Sequence, residues 1–237
     1  MRTDTVQSFE ELSRAAADRM IEAVAGNPAA NLCLASGGSP ELAYRLFVEG
    51  VRARGIDTTR MMVTKLDEWC GFSAEHESSC ERYLQERIVA PLSIPPCRYI
   101  SFRPDAEDYE QEVRRVREQL REHLIDLCVL GFGRNGHLGL NEPGDWLYPR
   151  AHVAQIAPAT KLHPLLKSNR VEQGMTIGMG DIFAAREVLF LVTGAGKQEV
   201  YEQWMTEEIT TRCPASLLWL HPSAVALVDQ SSFKPKE

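Results

Sequence analysis

The chain lacks a long apolar run and a leader-like beginning. No stretch of its 237 residues approaches the roughly 18 apolar residues that a membrane-spanning helix needs. Charged side chains such as Glu10, Glu11 and Asp18 interrupt the first residues, unlike the apolar core of a secretory signal. We therefore expect a soluble protein of the cytoplasm that has no membrane partner.

An excess of positive charge is also missing. The sequence has 26 Lys and Arg against 33 Asp and Glu, which gives a net charge of −7. This balance argues against a nucleic-acid partner, because nonspecific binding to phosphates needs a basic surface. An anionic ligand would require a local positive pocket.

The usual metal and disulfide patterns are absent as well. Six cysteines occur without a CxxC pair, and there is neither an HExxH motif nor another closely spaced ligand set. Cys33 and Cys128 lie in apolar runs, as buried free thiols do. The sequence predicts free cysteines and no metal site.

What is present is an alternation of strand and helix patterns without a repeat or a linker. We expect one α/β domain over residues 1–237, with a mostly parallel sheet flanked by helices. The proline-containing segment 144–174 is interpreted as a lid, with a possible helix after Thr160. Strands are predicted at residues 31–35, 61–66, 99–102, 127–130, 151–156, 175–179, 188–192, 217–220 and 224–228. Helices are predicted at residues 9–24, 40–47, 78–90, 105–120 and 197–204.

The most informative stretch follows the apolar run at residues 127–130. Four glycines come within nine residues after this run, interleaved with polar side chains that include His137 and Glu142. Glycines let the backbone turn tightly and approach a ligand. Because open α/β sheets bind ligands at the carboxyl ends of their strands, we interpret both side chains as chemical groups.

The same stretch contains a GxGxxG pattern at residues 131–136, which would ordinarily suggest a dinucleotide. The residues that follow begin with His137 and make a poor helix start, and residues 153–156 carry no acid to bind a ribose. We therefore do not expect NAD as a cofactor.

A second glycine-containing turn lies between the first predicted strand and its helix. Ser36, Gly37, Gly38, Ser39 and Pro40 combine free backbone N–H groups with the positive end of a helix, which favours phosphate binding. In this interpretation Ser39 is the N-cap and Pro40 the first helical residue. A well-capped helix without a ligand would explain Ser39 but not the glycine pair.

Lys197 ends a third glycine-containing turn, which starts at Thr193. The turn fails as a P-loop, because Leu191 stands where the first glycine is required and Gln198 replaces the Ser or Thr. A lysine at a helix start is unfavourable unless an anion is near, so Lys197 is predicted to contact phosphate.

Two adjacent acids, Asp67 and Glu68, follow the strand predicted at residues 61–66. Side chains alternate along extended chain, so at most one of the two carboxylates should face a ligand. His76, His123, His152 and His163 have no comparable neighbours and are predicted at the surface, whereas His221 is predicted to be structural.

Four pieces of the chain together resemble one family, the glucosamine-6-phosphate deaminase/isomerase group. They are LASGGSP (34–40), KLDEW (65–69), GFGRNGHLGLNEP (131–143), and LVTGAGKQ (191–198) with LWLHPSA (218–224). The related 6-phosphogluconolactonases are similar in the first two pieces but lack the Asn-Glu-Pro ending. The resemblance implies a modified Rossmann-like α/β sheet, and it is greatest to bacterial galactosamine-6-phosphate deaminase/isomerases.

The resemblance also implies roles for individual residues. Asp67 would move a proton between C2 and C1 of the sugar, and His137, oriented by Glu142, would assist ring opening. Asn135 stands where several relatives carry an aspartate, and Lys161 stands where better-known members have a phosphate-binding arginine. The implied phosphate-binding positions are Ser36, Gly37, Gly38, Ser39 and Lys197.

The expected activity is therefore a cofactor-independent amino-sugar-phosphate isomerase that also hydrolyses a C–N bond. Galactosamine 6-phosphate would give tagatose 6-phosphate and ammonia, with glucosamine 6-phosphate as the near alternative substrate. A lactonase and a non-catalytic sugar-phosphate sensor stay open, as does a homo-oligomer. Retention of Asp67, His137 and Glu142 together argues against the sensor.

Overall fold

Two sheets organise residues 1–233, the part of the chain that the computed structural model describes. The first contains β1 (Arg2–Val6), β2 (Asn31–Leu34), β3 (Met62–Lys65), β5 (Tyr99–Ile100), β6 (Leu127–Gly131), β9 (Glu187–Val192) and β10 (Ala224–Asp229). These seven strands are all parallel, in the order β1-β10-β9-β6-β2-β3-β5. The second contains β4 (Asp67–Trp69), β7 (His152–Gln155) and β8 (Gln173–Thr176), antiparallel in the order β4-β8-β7.

Six α-helices connect these strands. They are α1 (Phe9–Gly26), α2 (Gly38–Ala53), α3 (Cys80–Leu84), α4 (Tyr109–Glu122), α5 (Met179–Phe183) and α6 (Gln198–Met205). A π-helical turn at Gln85–Val89 continues α3. Within residues 1–233 we find no helix with the length and apolar character of a membrane span.

Strand alternation gives the main sheet a separate core on each face. On β6, Leu127 and Val129 belong to the core under α1 and α2, whereas Cys128 and Leu130 belong to the core under α4, α5 and α6. Both sides are fully covered, which explains why the strands are apolar throughout. Cys33 and Cys128 are buried and free, as predicted.

The chain changes direction between β2 and β6, and this point locates the site. From β2 the connections run outward through β3 to β5, and the chain then returns to place β6 on the other side of β2. Such a reversal leaves a crevice at the carboxyl ends of the two central strands, where α/β sheets bind ligands. The turns after residues 34 and 131 both open into it.

Most predicted strands are confirmed, but the piece at residues 217–220 is wrong as a strand. It belongs to a 3-10 helix at Pro214–Leu220, in which Pro214 occupies the first turn. A short apolar run does not by itself distinguish strand from buried helical turn. The sequence analysis also missed β1, which pairs with β10, and the three-residue β4.

Two helix starts also differ from expectation. Helix α2 begins at Gly38 with Gly37 as its N-cap, so Ser39 and Pro40 already lie inside the first turn. Helix α3, predicted to start at residue 78, is capped by Ser79, whose side chain accepts from the backbone N–H of Glu81, while the Ser78 hydroxyl accepts a hydrogen bond from Asn169.

The segment after residue 143 matches its prediction in part. Strand β7 lies within the predicted range, whereas the helix expected after Thr160 is replaced by two 3-10 turns, Thr160–Leu162 and Pro164–Leu166. The strand predicted at residues 175–179 ends earlier, at Thr176, and α5 follows.

A buried ionic cluster fixes the start of β4 beneath the crevice. The Lys65 ammonium donates to Glu68 (2.8 Å) and to Glu81 (2.6 Å), and the side chains of Lys65 and Glu68 are fully buried. The Glu68 carboxylate also accepts from the backbone N–H groups of Trp69 and Cys80, at 2.9 Å each. These bonds tie β3, β4 and α3 together, so this cluster sets the orientation of β4.

Removal of the buried ammonium should destabilise the protein strongly. We expect Lys65→Met to lower the free energy of unfolding by about 3–5 kcal/mol, because the carboxylates of Glu68 and Glu81 would lose their counter-ion without regaining water. Urea denaturation at pH 7 measures this. Lys167→Met, which breaks an exposed ion pair with Glu77, is the matched control and should leave the free energy of unfolding nearly unchanged. Equal losses in both variants would contradict the assignment.

Candidate active site

A cavity of about 500 Å³ opens at the carboxyl ends of the central strands. Its wall includes Asp67, His137, Lys197 and the whole turn from Ser36 to Ser39. Asn135 and Glu142 support the wall from behind through hydrogen bonds. The sequence-predicted residues from four separate loops are therefore assembled in one place, with Lys161 as the exception.

The turn after β2 presents the N-terminus of the 16-residue helix α2 to the cavity. Gly37 has φ = 127°, a conformation that side chains rarely adopt, and its carbonyl accepts a hydrogen bond from the Tyr83 hydroxyl (2.6 Å). Unpaired N–H groups and the helix dipole make this end a favourable place for an anion.

Lys197 adds a cation to the cavity wall. Its Nζ donates to the Thr193 carbonyl (2.7 Å) and lies beside Gly194, whose φ is 103°. Burial, together with the nearby Arg134, lowers the pKa of Lys197 to about 8. The ammonium therefore remains mostly charged at neutral pH and can attract a phosphate.

Two basic residues of the wall were not predicted from the sequence. Arg134 is exposed at the cavity, and within residues 1–233 no carboxylate forms an ion pair with it. His163 was expected at the surface but lies against the phosphate turn, where a Cβ at Gly37 would come within 3.2 Å of its Nε2. His163 reaches the cavity because segment 144–174 packs onto the phosphate turn. No local sequence pattern predicts this position.

His163 is held as a neutral donor. Its Nδ1 accepts from the backbone N–H of Leu165 (3.2 Å), which leaves the proton of the neutral ring on Nε2. Burial lowers the pKa of His163 to about 4, and the positive charges of Lys197 and Arg134 act in the same direction. This ring can donate a hydrogen bond to an anion without carrying charge.

Asp67 lies in the wall at the first position of β4. Burial raises the pKa of this carboxyl to about 7, and the charge of Glu68 adds to the effect, whereas Lys65 opposes it. Gly139, with φ = 58°, lets the backbone pass close to Thr176 beside Asp67, since an added Cβ would lie 2.7 Å from the Thr176 Oγ1 and 3.5 Å from the Asp67 Oδ2. Glu68 points away into the ionic cluster, so only one of the two acids faces the cavity, as alternation predicted.

A relay of hydrogen bonds orients His137. Asn135 Nδ2 donates to Glu142 Oε2 (2.9 Å), and Asn135 Oδ1 accepts from the backbone N–H of His137 (3.2 Å). These bonds identify Oδ1 as the oxygen, so the short contact from His137 Nδ1 to Oδ1 (2.7 Å) requires a proton on Nδ1. The lone pair of the ring is then on Nε2.

The imidazole is kept neutral in this arrangement. Burial lowers the pKa of His137, and the charge of Lys197 acts in the same direction against Glu142. The ring lies over Gly133, where an added Cβ would come within 2.5 Å of it. With an amide at residue 135 instead of a carboxylate, the hydrogen-bond partner of Nδ1 is neutral, and the Glu142 Oε2 lies 3.7 Å from Nδ1. This arrangement suits a ring that accepts a proton at Nε2.

Several other predicted residues have different positions. The Lys161 ammonium pairs with Glu172 and its side chain does not line the cavity. His152 was expected at the surface but is buried, 6% exposed, while His76 and His123 are half-buried. His221 is buried with Nε2 near the Ala185 carbonyl, 3.2 Å away, in agreement with a structural role.

Together these groups can hold an anion at one end and move protons at the other. A carboxyl with a pKa near 7 can take a proton from carbon or oxygen and return it, and a neutral imidazole can do the same between oxygens. This combination suits proton transfers along a small phosphorylated molecule.

Comparison with known proteins gives a consistent result. The model of the family described as glucosamine-6-phosphate isomerases/6-phosphogluconolactonase matches residues 3–228. AgaI of Escherichia coli (strain K12), provisionally assigned as a deaminase, is 40% identical, with 94% of this chain and 90% of AgaI covered. The glucosamine-6-phosphate deaminase of Geobacillus sp. (strain WCH70) is 34% identical, with 98% and 94% covered.

Solved structures show the same relationship. A monomeric glucosamine-6-phosphate deaminase superposes with a TM-score of 0.91 at 30% identity, covering 98% of both chains. The 6-phosphogluconolactonase of Trypanosoma brucei superposes with a TM-score of 0.77 at 19% identity, covering 97% of this chain and 96% of its own. The second similarity concerns the fold alone.

The elevated pKa of Asp67 should be visible in stability. Its ordinary pKa is 3.8 and its folded pKa is about 7, so the folded state binds more protons and stability is lost as pH rises between these values. The full shift corresponds to about 4 kcal/mol, and water in the cavity reduces it, so we expect about 2 kcal/mol.

Asp67→Asn should therefore be more stable than the wild type at pH 8, and the difference should shrink by about 2 kcal/mol at pH 4.5. Urea denaturation of both proteins at the two pH values measures the difference. A difference that does not change with pH would show that Asp67 has an ordinary pKa.

Proposed function

The chain belongs to the family of glucosamine-6-phosphate isomerases and 6-phosphogluconolactonases, and from this membership we propose that it is a deaminase of galactosamine 6-phosphate. The products are tagatose 6-phosphate and ammonia, and one water is consumed. One observation carries the proposal: Asp67, with a pKa of about 7, shares a cavity with the neutral His137 and with the phosphate turn.

Substrate binding begins at the phosphate. The N-terminus of α2 and Lys197 hold the phosphate group, which fixes the sugar with its first carbons toward Asp67 and His137. His137 Nε2 takes the proton of the C1 hydroxyl and delivers it to the ring oxygen, so that the ring opens to an aldehyde. Orientation of this kind supplies much of the rate enhancement in enzymes that act on small phosphorylated molecules.

Isomerisation and loss of ammonia follow in the open chain. The substrate amine enters as its ammonium form. The Asp67 carboxylate removes the C2 proton while a proton of that ammonium passes to O1, which forms an enolamine. Asp67 then returns its proton to C1, so that C2 becomes an iminium carbon. Water adds to C2 and ammonia leaves, giving the ketose phosphate. The proposed steps need no cofactor, since one carboxyl, one imidazole and the substrate's own ammonium carry every proton.

Two features bear on the choice of substrate. The motifs LDEW and PASLLWLH favour the galactosamine enzymes, whereas several relatives of 29–34% identity are named glucosamine-6-phosphate deaminases. Glucosamine 6-phosphate is therefore the second candidate. Lactone hydrolysis is less suited to this site, because the hydrogen bond from Asn135 to Glu142 uses the Asn-Glu-Pro ending that the lactonases lack.

Ammonia release tests the proposal directly. Purified protein should release ammonia from galactosamine 6-phosphate, and Asp67→Asn should lower kcat by about 10²–10⁴-fold, because the variant has no base at C2. Asp105→Asn, at an exposed position, is the control and should keep full activity. Binding of both amino sugar phosphates without ammonia release would support the sensor instead, and acid release from a phosphogluconolactone would support the lactonase.

The pH dependence of kcat/KM should have two limbs. Activity should rise through about pH 7 as Asp67 loses its proton, and it should fall above about pH 8 as Lys197 loses its charge. Lys197→Arg should abolish the alkaline limb, because a guanidinium stays charged there. A limb near pH 8 that persists in this variant would show that Lys197 does not bind the phosphate.

Lys161→Met is to be compared with Lys197→Met, because the Lys161 amino group pairs with Glu172. A small change in kcat/KM is expected from this variant. A loss as large as that of Lys197→Met would restore Lys161 as a phosphate ligand.

A further inference from the structure

The turn after β6 places a cation in the cavity wall that the proposed reaction does not use. Arg134 is the second residue of the turn at residues 133–136, which is closed by a hydrogen bond from the Gly136 N–H to the Gly133 carbonyl (3.1 Å). The Ala215 N–H donates to the Gly136 carbonyl (2.9 Å) and holds the end of the turn. The backbone of Arg134 is therefore fixed, and its exposed side chain lines the cavity.

The order of the strands puts this turn between the two turns that are proposed to bind phosphate. Strand β6 pairs on one side with β2, which leads into the phosphate turn, and on the other side with β9, which leads toward Lys197. Neighbouring strands lie about 4.8 Å apart. A Cβ at Gly131, three residues before Arg134, would come within 3.7 Å of the Ser39 Cβ. A side chain on the middle turn can therefore reach an anion that the two outer turns hold.

The guanidinium of Arg134 has no partner in the protein that would keep it from a ligand. Among residues 1–233, no carboxylate forms an ion pair with it and no group accepts a hydrogen bond from it. The other carboxyls of the cavity wall are already engaged. Asp67 faces the reacting end of the proposed substrate, and the Asp229 carboxylate accepts from the hydroxyls of Thr193 and Ser232.

The charge of Arg134 also acts on the groups around the phosphate turn. Burial lowers the pKa values of Lys197 and His163, and the charge of Arg134 lowers both further. Like charges raise each other's energy when no anion lies between them. The cavity therefore gathers positive charge at the end where the proposed phosphate lies.

A charge balance shows why one lysine is not enough. A phosphate monoester carries a charge of about −1.5 to −2 at pH 7. The N-terminus of α2 contributes about +0.5, and Lys197 contributes at most one charge. His163 adds a hydrogen bond but no charge. A guanidinium supplies the missing unit, stays charged at every working pH and can bind two phosphate oxygens at once.

We propose that the Arg134 guanidinium binds the phosphate of the substrate together with Lys197 and the N-terminus of α2, as the second full cation of the site. The inference rests on the proposed function for the identity of the sugar, whereas inorganic phosphate alone can occupy the same place. Arg134 then supplies the cation that the resemblance implied at residue 161, where the Lys161 ammonium instead pairs with Glu172.

Calorimetric titration with inorganic phosphate at pH 7 tests the proposal without turnover. Arg134→Met should weaken phosphate binding by about 10- to 100-fold, because charge-assisted hydrogen bonds are lost. Arg134→Lys keeps the charge and should stay within about fivefold of the wild type. Arg121→Met is the control and should leave the Kd unchanged, since Arg121 is also exposed and unpaired among residues 1–233 but lies outside the cavity wall.

The kinetics give a readout that a packing role of Arg134 would not change. In Arg134→Met, the KM for the amino sugar phosphate should rise by about 10- to 100-fold and kcat should change by less than about threefold, because the phosphate is held equally in the ground and transition states. The alkaline limb of kcat/KM should also move above pH 8, since Arg134 no longer lowers the pKa of Lys197.

Three results would overturn the proposal. They are an unchanged phosphate affinity in Arg134→Met, an equal loss of affinity in Arg121→Met, and a fall in kcat with an unchanged KM, which would place Arg134 at the reacting carbons. If the wild type releases no ammonia from either amino sugar phosphate, the proposed function fails separately. The phosphate titrations then still decide the role of Arg134, because they do not depend on turnover.

Discussion

Burial of the Lys65 ammonium with the carboxylates of Glu68 and Glu81 is the constraint on which the site depends. Charges removed from water are tolerated only with well-placed partners, and here Glu68 is shared among an ammonium, a hydroxyl and backbone N–H groups. Because these bonds fix the middle residue of β4, they also fix the direction of its two neighbours, Asp67 and Trp69, whose side chains share the opposite face of the strand. Burial raises the pKa of Asp67 most, and the same charges adjust it, since Glu68 raises this pKa and Lys65 lowers it.

The second acid–base group, His137, is oriented by a neutral side chain and not by a cluster of charges. His137 receives its orientation from Asn135, a neutral amide, and the carboxylate of Glu142, which accepts from that amide, lies 3.7 Å from His137 Nδ1. The ring therefore has a defined tautomer without a strong bias toward the charged form. One group is a carboxyl made less acidic by burial and the other an imidazole made less basic by burial, so burial favours the uncharged form of both groups.

Much of this arrangement could be predicted from the sequence, because the signals are local. Apolar runs mark β2, β3, β6 and β9, and glycines after these strands mark the turns that form the cavity. Residues that depend on long-range packing were missed or misplaced. His163 is a lone histidine in a proline-containing segment, and it joins the site only because that segment folds over Gly37. Ser39 looked like a helix cap, but the permissive backbone of Gly37 lets the helix begin earlier.

The small antiparallel sheet joins the covering segment to the chemistry. Strand β8 lies between β7, which belongs to that segment, and β4, which carries Asp67. Thr160 of the same segment contacts His137 Nδ1 at 3.0 Å. A movement of residues 159–165 that admits a substrate would break the Thr160 contact. The same movement would be transmitted to β4 through β8. Substrate entry, product release and proton transfer would then be coupled through the same strand. Turnover would become sensitive to solvent viscosity.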